Sequence, residues 1–383
     1  MGSDVRVGSR MMTLVMEETA RKIGATTLPA RVYTDPAWFD TEMERIFGAM
    51  WIAVGRLEDI ANRGAFVRRD VAGASVLVVG DGHGSARAFH NVCRHRGTRL
   101  CDAEHGTFAG SIQCPYHAWT YDLTGRLIGA PLMDDVDGFR REDYPLRSVS
   151  CDVWDGHIFV NLSEEPQPLG QQLGDLPTRF APWRMRELRR VRRVTYDVSA
   201  NWKLIVQNYN ECLHCPIIHP LLNQMHHYLG GVNVPSTESY CGGAMGFKDG
   251  VETLSTDGKR RRRVLPGLGE QEHSLVNYFA IYPNFLLTLH PDYMLTITIW
   301  PQTPGLTRLV GEWHLHPDEI AAPGFVCDDA IEFWDRTNRE DWAISERSYR
   351  GISTRGYAPG PYSNRERQLW EFDQFVIKKV GPM

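Results

Sequence analysis

No stretch of this 383-residue sequence is apolar for long enough to span a bilayer, and its first residues lack the apolar core of a secretory signal. A cytoplasmic protein with no membrane contact is expected. Cationic excess is absent too. The chain has 42 Lys and Arg against 47 Asp and Glu, a net charge of −5, so nothing marks a nucleic-acid partner. Eight cysteines are scattered along the chain with no spacing that suggests a disulfide framework, which suits a reducing compartment. No sequence for a flavin or nicotinamide site is evident, nor any internal repeat or long low-complexity tract. What remains is ordinary: 42% hydrophobic and 23% charged residues, in a length that holds two domains. Residues 1–10 are mostly small and polar and read as a disordered lead-in.

Against this plain background two short pairs stand out, Cys93-Arg94-His95 and Cys114-Pro115-Tyr116-His117. Each offers one thiolate and one imidazole from a single tight loop, and Gly97 and Pro115 suit such turns. Two thiolates on one iron and two imidazoles on the other form the ligand set of a Rieske [2Fe–2S] centre. A structural zinc site draws on the same residue types. Zinc sites, however, usually pair cysteine with cysteine and histidine with histidine. The plain alternative is two free cysteines beside two ordinary histidines.

A second constellation lies in Gln-Asn-Tyr-Asn-Glu-Cys-Leu-His-Cys-Pro-Ile-Ile-His-Pro, residues 207–220. A five-residue step does not stack His214 and His219 on one face of a regular helix. Pro216 between them is expected to kink or break the helix. The pair therefore reads as ligands on a helix end and the irregular segment after it. Two histidines and a remote carboxylate make the facial triad of non-haem Fe(II) oxygenases, with positions left open for O₂. In isolation, two hydrogen-bonded structural histidines would explain the spacing as well. Cys212 and Cys215 flank His214 and read as buried packing rather than as a redox pair.

With both constellations in view, the chain resembles the Rieske non-haem iron oxygenases, large subunit. Residues 93–98 and 114–119 are similar to the family's cluster loops. Residues 207–220 are similar to its Asp/Glu-x₂-His-x₄-His motif, with Asn208 in the usual amide position. Proteins of the bc₁ type carry an extra cysteine in each cluster loop, where this chain has Thr98 and Tyr116. The resemblance implies that Cys93, His95, Cys114 and His117 hold the cluster and that His214, His219 and Asp341 bind a mononuclear Fe(II). Asp341 is taken from the Glu-Asp-Trp segment 340–342; Glu340 is expected to point elsewhere, about 100° around the helix. Glu211 is implied as the carboxylate bridge between a cluster histidine of one subunit and the iron site of its neighbour, in a homotrimer. It stands where ring-hydroxylating dioxygenases commonly have Asp. Electrons would come from NAD(P)H through a separate flavin or iron–sulfur reductase, or a ferredoxin. The basic run Lys259–Arg263 follows Ser255-Thr256-Asp257-Gly258 and reads as a mobile solvated loop, with a docking patch for an acidic redox partner as the other reading.

The fold class expected is α+β: a small all-β Rieske domain at 48–163 and a helix-grip catalytic domain with an antiparallel sheet at 164–383, on which residues 1–47 pack. Asp35-Pro36 opens a helix, and Val76–Val79 and His157–Asn161 read as strands. Residues 163–175, rich in Glu, Pro, Gln and Gly, read as a linker. Strands are expected within 274–289, with Pro283 interrupting, and at 293–300 and 307–316. Helices around 202–215 and 328–350 would cover them.

The letters Asn208–Pro216, Tyr282–Asn284 and Gly356–Ser363 are most similar to the branch of choline monooxygenase and the glycine betaine and stachydrine demethylases. Leu213 replaces an aromatic residue frequent there. This implies hydroxylation or oxidative N-demethylation of a small quaternary ammonium or N-methyl compound. Ring hydroxylation of an aromatic acid is the alternative, and electron transfer without oxygenase activity is the third reading. An ammonium substrate would want an aromatic cage, for which Tyr278, Phe279, Tyr282, Phe285, Tyr293 and Trp300 are available.

Overall fold

The computed structural model describes residues 24–381, so the lead-in at 1–10 lies outside the described residues. The chain divides into two compact units, one of residues Met43–Pro177 and one that joins the segment ending at Glu42 to everything from Thr178 onward.

The first unit is built on ten short strands: β1 (Ile52–Arg56), β2 (Ala65–Val71), β3 (Ala74–Gly80), β4 (Ala86–His90), β5 (His105–Thr107), β6 (Ser111–Gln113), β7 (Thr120–Asp122), β8 (Leu127–Gly129), β9 (Ser148–Trp154) and β10 (His157–Asn161). Seven form an antiparallel sheet in the order β1-β10-β9-β4-β3-β2-β5, and β6-β7-β8 form a second, smaller one. Two-residue turns set the register. Ala72-Gly73 joins Val71 to Ala74, and Asp155-Gly156 joins Trp154 to His157. All four turn residues have positive φ, the backbone that matches the twist of a tight hairpin. Between the sheets lies a core of Phe66, Leu77, Phe89, Ile112, Trp119 and Tyr121 into which Cys93 and Cys114 are packed. The unit runs past the expected boundary at 163. Residues 169–173 form a helix rather than a linker. Gln172 brackets the Trp51 backbone, accepting from its N–H at 2.9 Å and donating to its carbonyl at 3.0 Å.

The second unit carries β11 (Arg189–Val198), β12 (Val232–Asn233), β13 (Tyr240–Gly246), β14 (Leu275–Ile281), β15 (Phe285–Leu289), β16 (Met294–Thr303) and β17 (Leu306–Leu315), one antiparallel sheet in the order β11-β17-β16-β15-β14-β13-β12. Pro283 ends β14, and the turn at 290–292 separates β15 from β16, as the sequence indicates. The helices are Trp202–Tyr209, Asp328–Ile352 and Arg367–Val380, with shorter turns between. No helix among the described residues is long and apolar enough to cross a membrane.

Helix Trp202–Tyr209 starts at Asn201, whose side chain accepts from Lys203 N, a cap worth about 1 kcal/mol. It stops earlier than expected, because Asn210 turns back to donate to Val206 O at 2.6 Å. Its floor is charged. Lys203 Nζ meets Glu42 Oε1 at 2.5 Å with both side chains fully buried, and Trp202 Nε1 donates to Glu42 Oε2 at 2.8 Å. Gln207 donates to Asp373 Oδ1 at 2.6 Å, and Tyr362 donates to Asp373 Oδ2 at 2.8 Å. These bonds tie the helix to both ends of the described chain, at Glu42 and at helix Arg367–Val380.

The basic run is no mobile loop. Arg262 is buried, donating to Asp292 at 2.9 Å and Asp329 at 2.6 Å. Arg261 pairs with Asp257 and Arg263 with Glu319. The partners at 292, 319 and 329 are remote in sequence, which is why a string of like charges concealed them.

Candidate metal centres and cavity

The two cluster loops are built to one plan. In the first, Cys93 N donates to Thr98 O at 2.8 Å and Gly97 N to Cys93 O at 3.1 Å. In the second, Cys114 N donates to Trp119 O at 2.8 Å and Ala118 N to Cys114 O at 3.1 Å. Each cysteine therefore opens a turn whose fifth residue has positive φ, Gly97 at 77° and Ala118 at 55°. Ala118 holds that conformation without glycine's freedom, local strain of the kind kept where geometry serves function. The cysteines point into the core. The imidazoles stay outside, His95 exposed and His117 half-buried, with ring centroids 4.8 Å apart. Trp119 stacks on His95 at 4.8 Å and 6°. Tyr121 Oη receives Arg94 N at 3.0 Å and lies 3.4 Å from Cys93 Sγ. Burial pushes the Cys93 thiol up; the Tyr121 hydroxyl opposes that, and neighbouring Cys114 adds to it. Two apolar-buried sulfurs with two imidazoles above them fit a cluster whose metal keeps both sulfurs as thiolates.

The second constellation sits in the other unit. His214 precedes and His219 follows the one-turn helix Cys215–Ile218. Pro216 falls in that turn's first residues, where its missing N–H costs nothing, so it starts the turn rather than breaking a longer helix. The turn points both imidazoles the same way. His214 Nε2 and His219 Nε2 are 3.2 Å apart, and Asp341 Oδ1 lies 3.3 and 2.8 Å from them. This small triangle is one face of a coordination polyhedron, with the opposite side free for other ligands.

Outside the triangle each ring is held by a carboxylate. Glu211 Oε1 lies 2.5 Å from His214 Nδ1, and its other oxygen accepts from Leu213 N. Glu340 Oε2 lies 2.9 Å from His219 Nδ1, and its other oxygen accepts from Arg336. The expectation that Glu340 points away from the site is overturned, because His219 reaches around the helix to meet it. Burial opposes a charge on His214, but Asp341 and Glu211 outweigh it and raise its pKa to about 9. His219 is raised likewise by Asp341 and Glu340 over burial. Three carboxylates around two imidazoles give a surplus of negative charge that suits a divalent cation, and the outer partners fix each ring as metal sites require. Among the described residues, His214, His219 and Asp341 form the one group of His, Cys, Asp and Glu close enough to hold a metal ion.

Cys212 and Cys215, expected as separate packing residues, are joined in a disulfide that closes the turn around His214. Their three-residue separation brings the Cα atoms to 5.0 Å, within the range a disulfide spans.

All three triad residues line a cavity of about 460 Å³. Asn208 lines it as well, together with Tyr209, Tyr228, Tyr278 and Trp334. Of the six aromatics put forward for a cage, Tyr278 alone lines this cavity. Phe279, Tyr282, Phe285 and Tyr293 are buried elsewhere, and Trp300 is not among the lining residues. Trp334, missed in sequence, precedes Asp341 by seven residues, two turns along the same helix, and Thr337 between them lines the cavity too. That i, i+3, i+7 stripe is readable once Asp341 is placed. The aromatic polar groups are tied into the wall. Tyr209 Oη contacts Leu287 O at 3.0 Å, and Trp334 Nε1 donates to Tyr293 Oη at 2.9 Å. The Tyr278 hydroxyl meets His226 Nε2 at 3.2 Å. Adjacent rings stand edge to face, Tyr209 to Tyr278 at 6.2 Å and Tyr278 to Trp334 at 6.3 Å. Gly242 lets β14 approach closely: a Cβ there would meet Tyr278 O at 2.3 Å.

These two centres, on these two folds, define a Rieske-type oxygenase. Residues 50–140 match the Rieske [2Fe-2S] domain and residues 185–381 the ring hydroxylating alpha subunit, catalytic domain. The chain belongs to that family, and so carries a Rieske cluster and a mononuclear iron. It is 30% identical over 365 residues to the glycine betaine monooxygenase oxygenase subunit of Pseudomonas aeruginosa, covering 88% of this chain and 85% of that one. It is 37% identical over 198 residues to the carnitine monooxygenase oxygenase subunit of Escherichia coli, covering 51% and 53%. In fold it is similar to the quaternary ammonium Rieske monooxygenase CntA solved with L-carnitine, with a TM-score of 0.78 at 24% identity over 95% of this chain and 98% of that one. Naphthalene 1,2-dioxygenase from Rhodococcus has the same fold, with a TM-score of 0.74 at 20% identity over 97% and 98%.

Proposed function

We propose that this chain is the oxygenase component of a system that hydroxylates or oxidatively N-demethylates a small quaternary ammonium compound. The observation that carries the reading is one cavity holding both the His214–His219–Asp341 triangle and three aromatic rings whose polar groups are tied into the wall. A trimethylammonium group has no hydrogen-bond donor. It is recognised by ring faces, and Tyr209, Tyr278 and Trp334 have their hydroxyl and indole N–H groups engaged elsewhere. The glycine betaine and carnitine relatives support the same class.

In this reading Cys93, Cys114, His95 and His117 hold the cluster, and His214, His219 and Asp341 hold the iron. Together the two groups supply electrons and an open coordination face for O₂. The rest falls to the protein. The exposed His95 and half-buried His117 provide the edge through which an electron leaves. Glu211 and Glu340 fix the two iron-site imidazoles, and the aromatic wall positions the methyl groups. Glu211 is also our candidate for a bridge to a neighbouring subunit's cluster histidine. Exposed apolar side chains at each centre, Tyr116 beside His117 and Ile217 between His214 and His219, support association of such chains, which we take to be a homotrimer. A separate reductase or ferredoxin, drawing on NAD(P)H, completes the system.

The test is oxygen uptake by the purified protein with a flavin reductase and NADH, across a panel of methylammonium compounds and aromatic acids. Uptake with matched formaldehyde or aldehyde release from the ammonium compounds is expected. Turnover confined to aromatic acids would replace this reading with ring hydroxylation. Reduction of the cluster with no uptake on any compound would leave only electron transfer.

A further inference from the structure

The cavity lining carries charged groups of two kinds. Around the histidines its charged groups are acidic, Glu211 and Asp341, and both are engaged by imidazoles. Among the described residues the lining contains one arginine and no lysine. That residue, Arg365, stands in the short segment before helix Arg367–Val380, between Asn364 and Gln368, which also line the cavity. Its segment is firmly placed. Gln368 Nε2 donates to Gly242 O at 2.8 Å, Ser363 N to Glu366 Oε2 at 2.7 Å, and Arg365 N to Ser363 Oγ at 3.3 Å. Its guanidinium, by contrast, is paired with no carboxylate among the described residues. Other arginines nearby are not left so: Arg367 is paired with Glu371 at 2.8 Å and Arg336 with Glu340 at 3.1 Å.

Resting on the ammonium reading above, we infer that Arg365 holds the carboxylate of a zwitterionic substrate, so that this chain takes betaines rather than amino alcohols. The chemistry follows from these two kinds of group. The methyl groups to be oxidised must lie by the iron, and the ring faces there receive the cation. A seated ammonium group leaves any anionic group on the same molecule to the rest of the lining, where Arg365 is the cationic side chain. A guanidinium is suited to that task because its planar fork can meet both carboxylate oxygens at once. Asn364 and Asn233, in the same lining, add neutral polar groups. A choline-like alcohol would leave the guanidinium with nothing but water.

The experiment is isothermal titration of the holoenzyme with glycine betaine, L-carnitine, γ-butyrobetaine and choline, all trimethylammonium compounds, of which only choline lacks a carboxylate. At least one carboxylate is expected to bind about tenfold or more tighter than choline, a charge-assisted pairing of ordinary strength. Arg365→Leu should bring that compound to the choline level and leave choline itself unchanged; Arg365→Lys should keep part of the preference. Arg365 is exposed, so folding should not depend on it, and circular dichroism checks this. Choline binding as tightly as every carboxylate, or a preference that persists in Arg365→Leu, overturns the inference while the ammonium reading stands. Binding of none of the four overturns both.

Discussion

The candidate cluster loops and the candidate iron triangle are built by opposite means. The cluster loops are near-copies of one local turn, each complete within about six residues, and set into an apolar core. Their cysteines are buried and their histidines lie outside. The iron triangle joins a single irregular turn to a residue more than a hundred positions away, above a helix whose floor is a network of buried charge. The difference follows the work. Transfer of an electron needs a rigid cage with an exposed edge and no room for anything else. Oxidation of a bound molecule needs an open face and a cavity, so the ligands must come from walls that stand apart, and each wall has to be anchored separately.

Substitutions can break this comparison at either end. The largest effect is expected from Asp341→Ala. It removes one corner of the triangle, so turnover should vanish while the visible absorbance of the cluster persists. Cys114→Ser should do the reverse, cutting iron from about three to about one per chain and bleaching the absorbance. If either substitution emptied both centres, the two would not be independent. Next in size is Glu340→Gln, which weakens the hold on His219 Nδ1. A loss of about 10–100-fold in iron affinity at the triad is expected, the ordinary cost of removing an outer partner, with the cluster unaffected. Unchanged affinity would reduce Glu340 to a surface carboxylate.

A different effect, on stability and confined to the catalytic unit, is expected from Lys203→Met. It leaves Glu42 buried without its cation, at a cost of about 3–5 kcal/mol. Chemical denaturation followed by tryptophan fluorescence should show that loss, and the cluster absorbance should survive to the wild-type midpoint. Loss of both together would mean that the charged floor supports the whole chain. The last effect is a pH dependence. Burial raises the Asp373 carboxyl to about 7, against hydrogen bonds from Tyr362 and Gln207 that pull it down. The folded chain thus keeps a proton that the unfolded chain has released, and this group's contribution makes stability fall as pH rises from about 4 to about 7. Asp373→Asn should flatten the denaturation midpoint over that range; an unchanged slope would assign the dependence to another group.

The cluster loops were legible in sequence because everything they need is local: ligand type, spacing and a turn. The strands on either side of Pro283 and of the turn at 290–292 were legible for the same reason. The iron triangle was half legible. His214 and His219 announced themselves, and Asp341 came through resemblance. Glu340 was misread because a helical projection gives the direction of a side chain but not what reaches toward it. Tyr209 and Trp334 were overlooked while five of the six aromatics put forward proved not to line the cavity, since aromatic content does not tell which face of a strand meets a cavity. In sequence Arg262 reads as a solvated charge, because Asp292 and Asp329 lie far along the chain. Residues 163–175 have the composition of a linker, yet 169–173 form a helix with Leu169 and Leu173 buried, and the stretch belongs to the first unit.

By itself the sequence determined two thiolate–imidazole pairs and a histidine pair as candidates for metals, because ligand chemistry is a property of residue types and their short-range spacing. Only the tertiary structure decided what surrounds those metals: a cavity with aromatic walls, a carboxylate behind each histidine and a lone arginine in the lining. Those arrangements depend on contacts between residues remote along the chain, and no local pattern of side chains encodes a distance across a folded sheet.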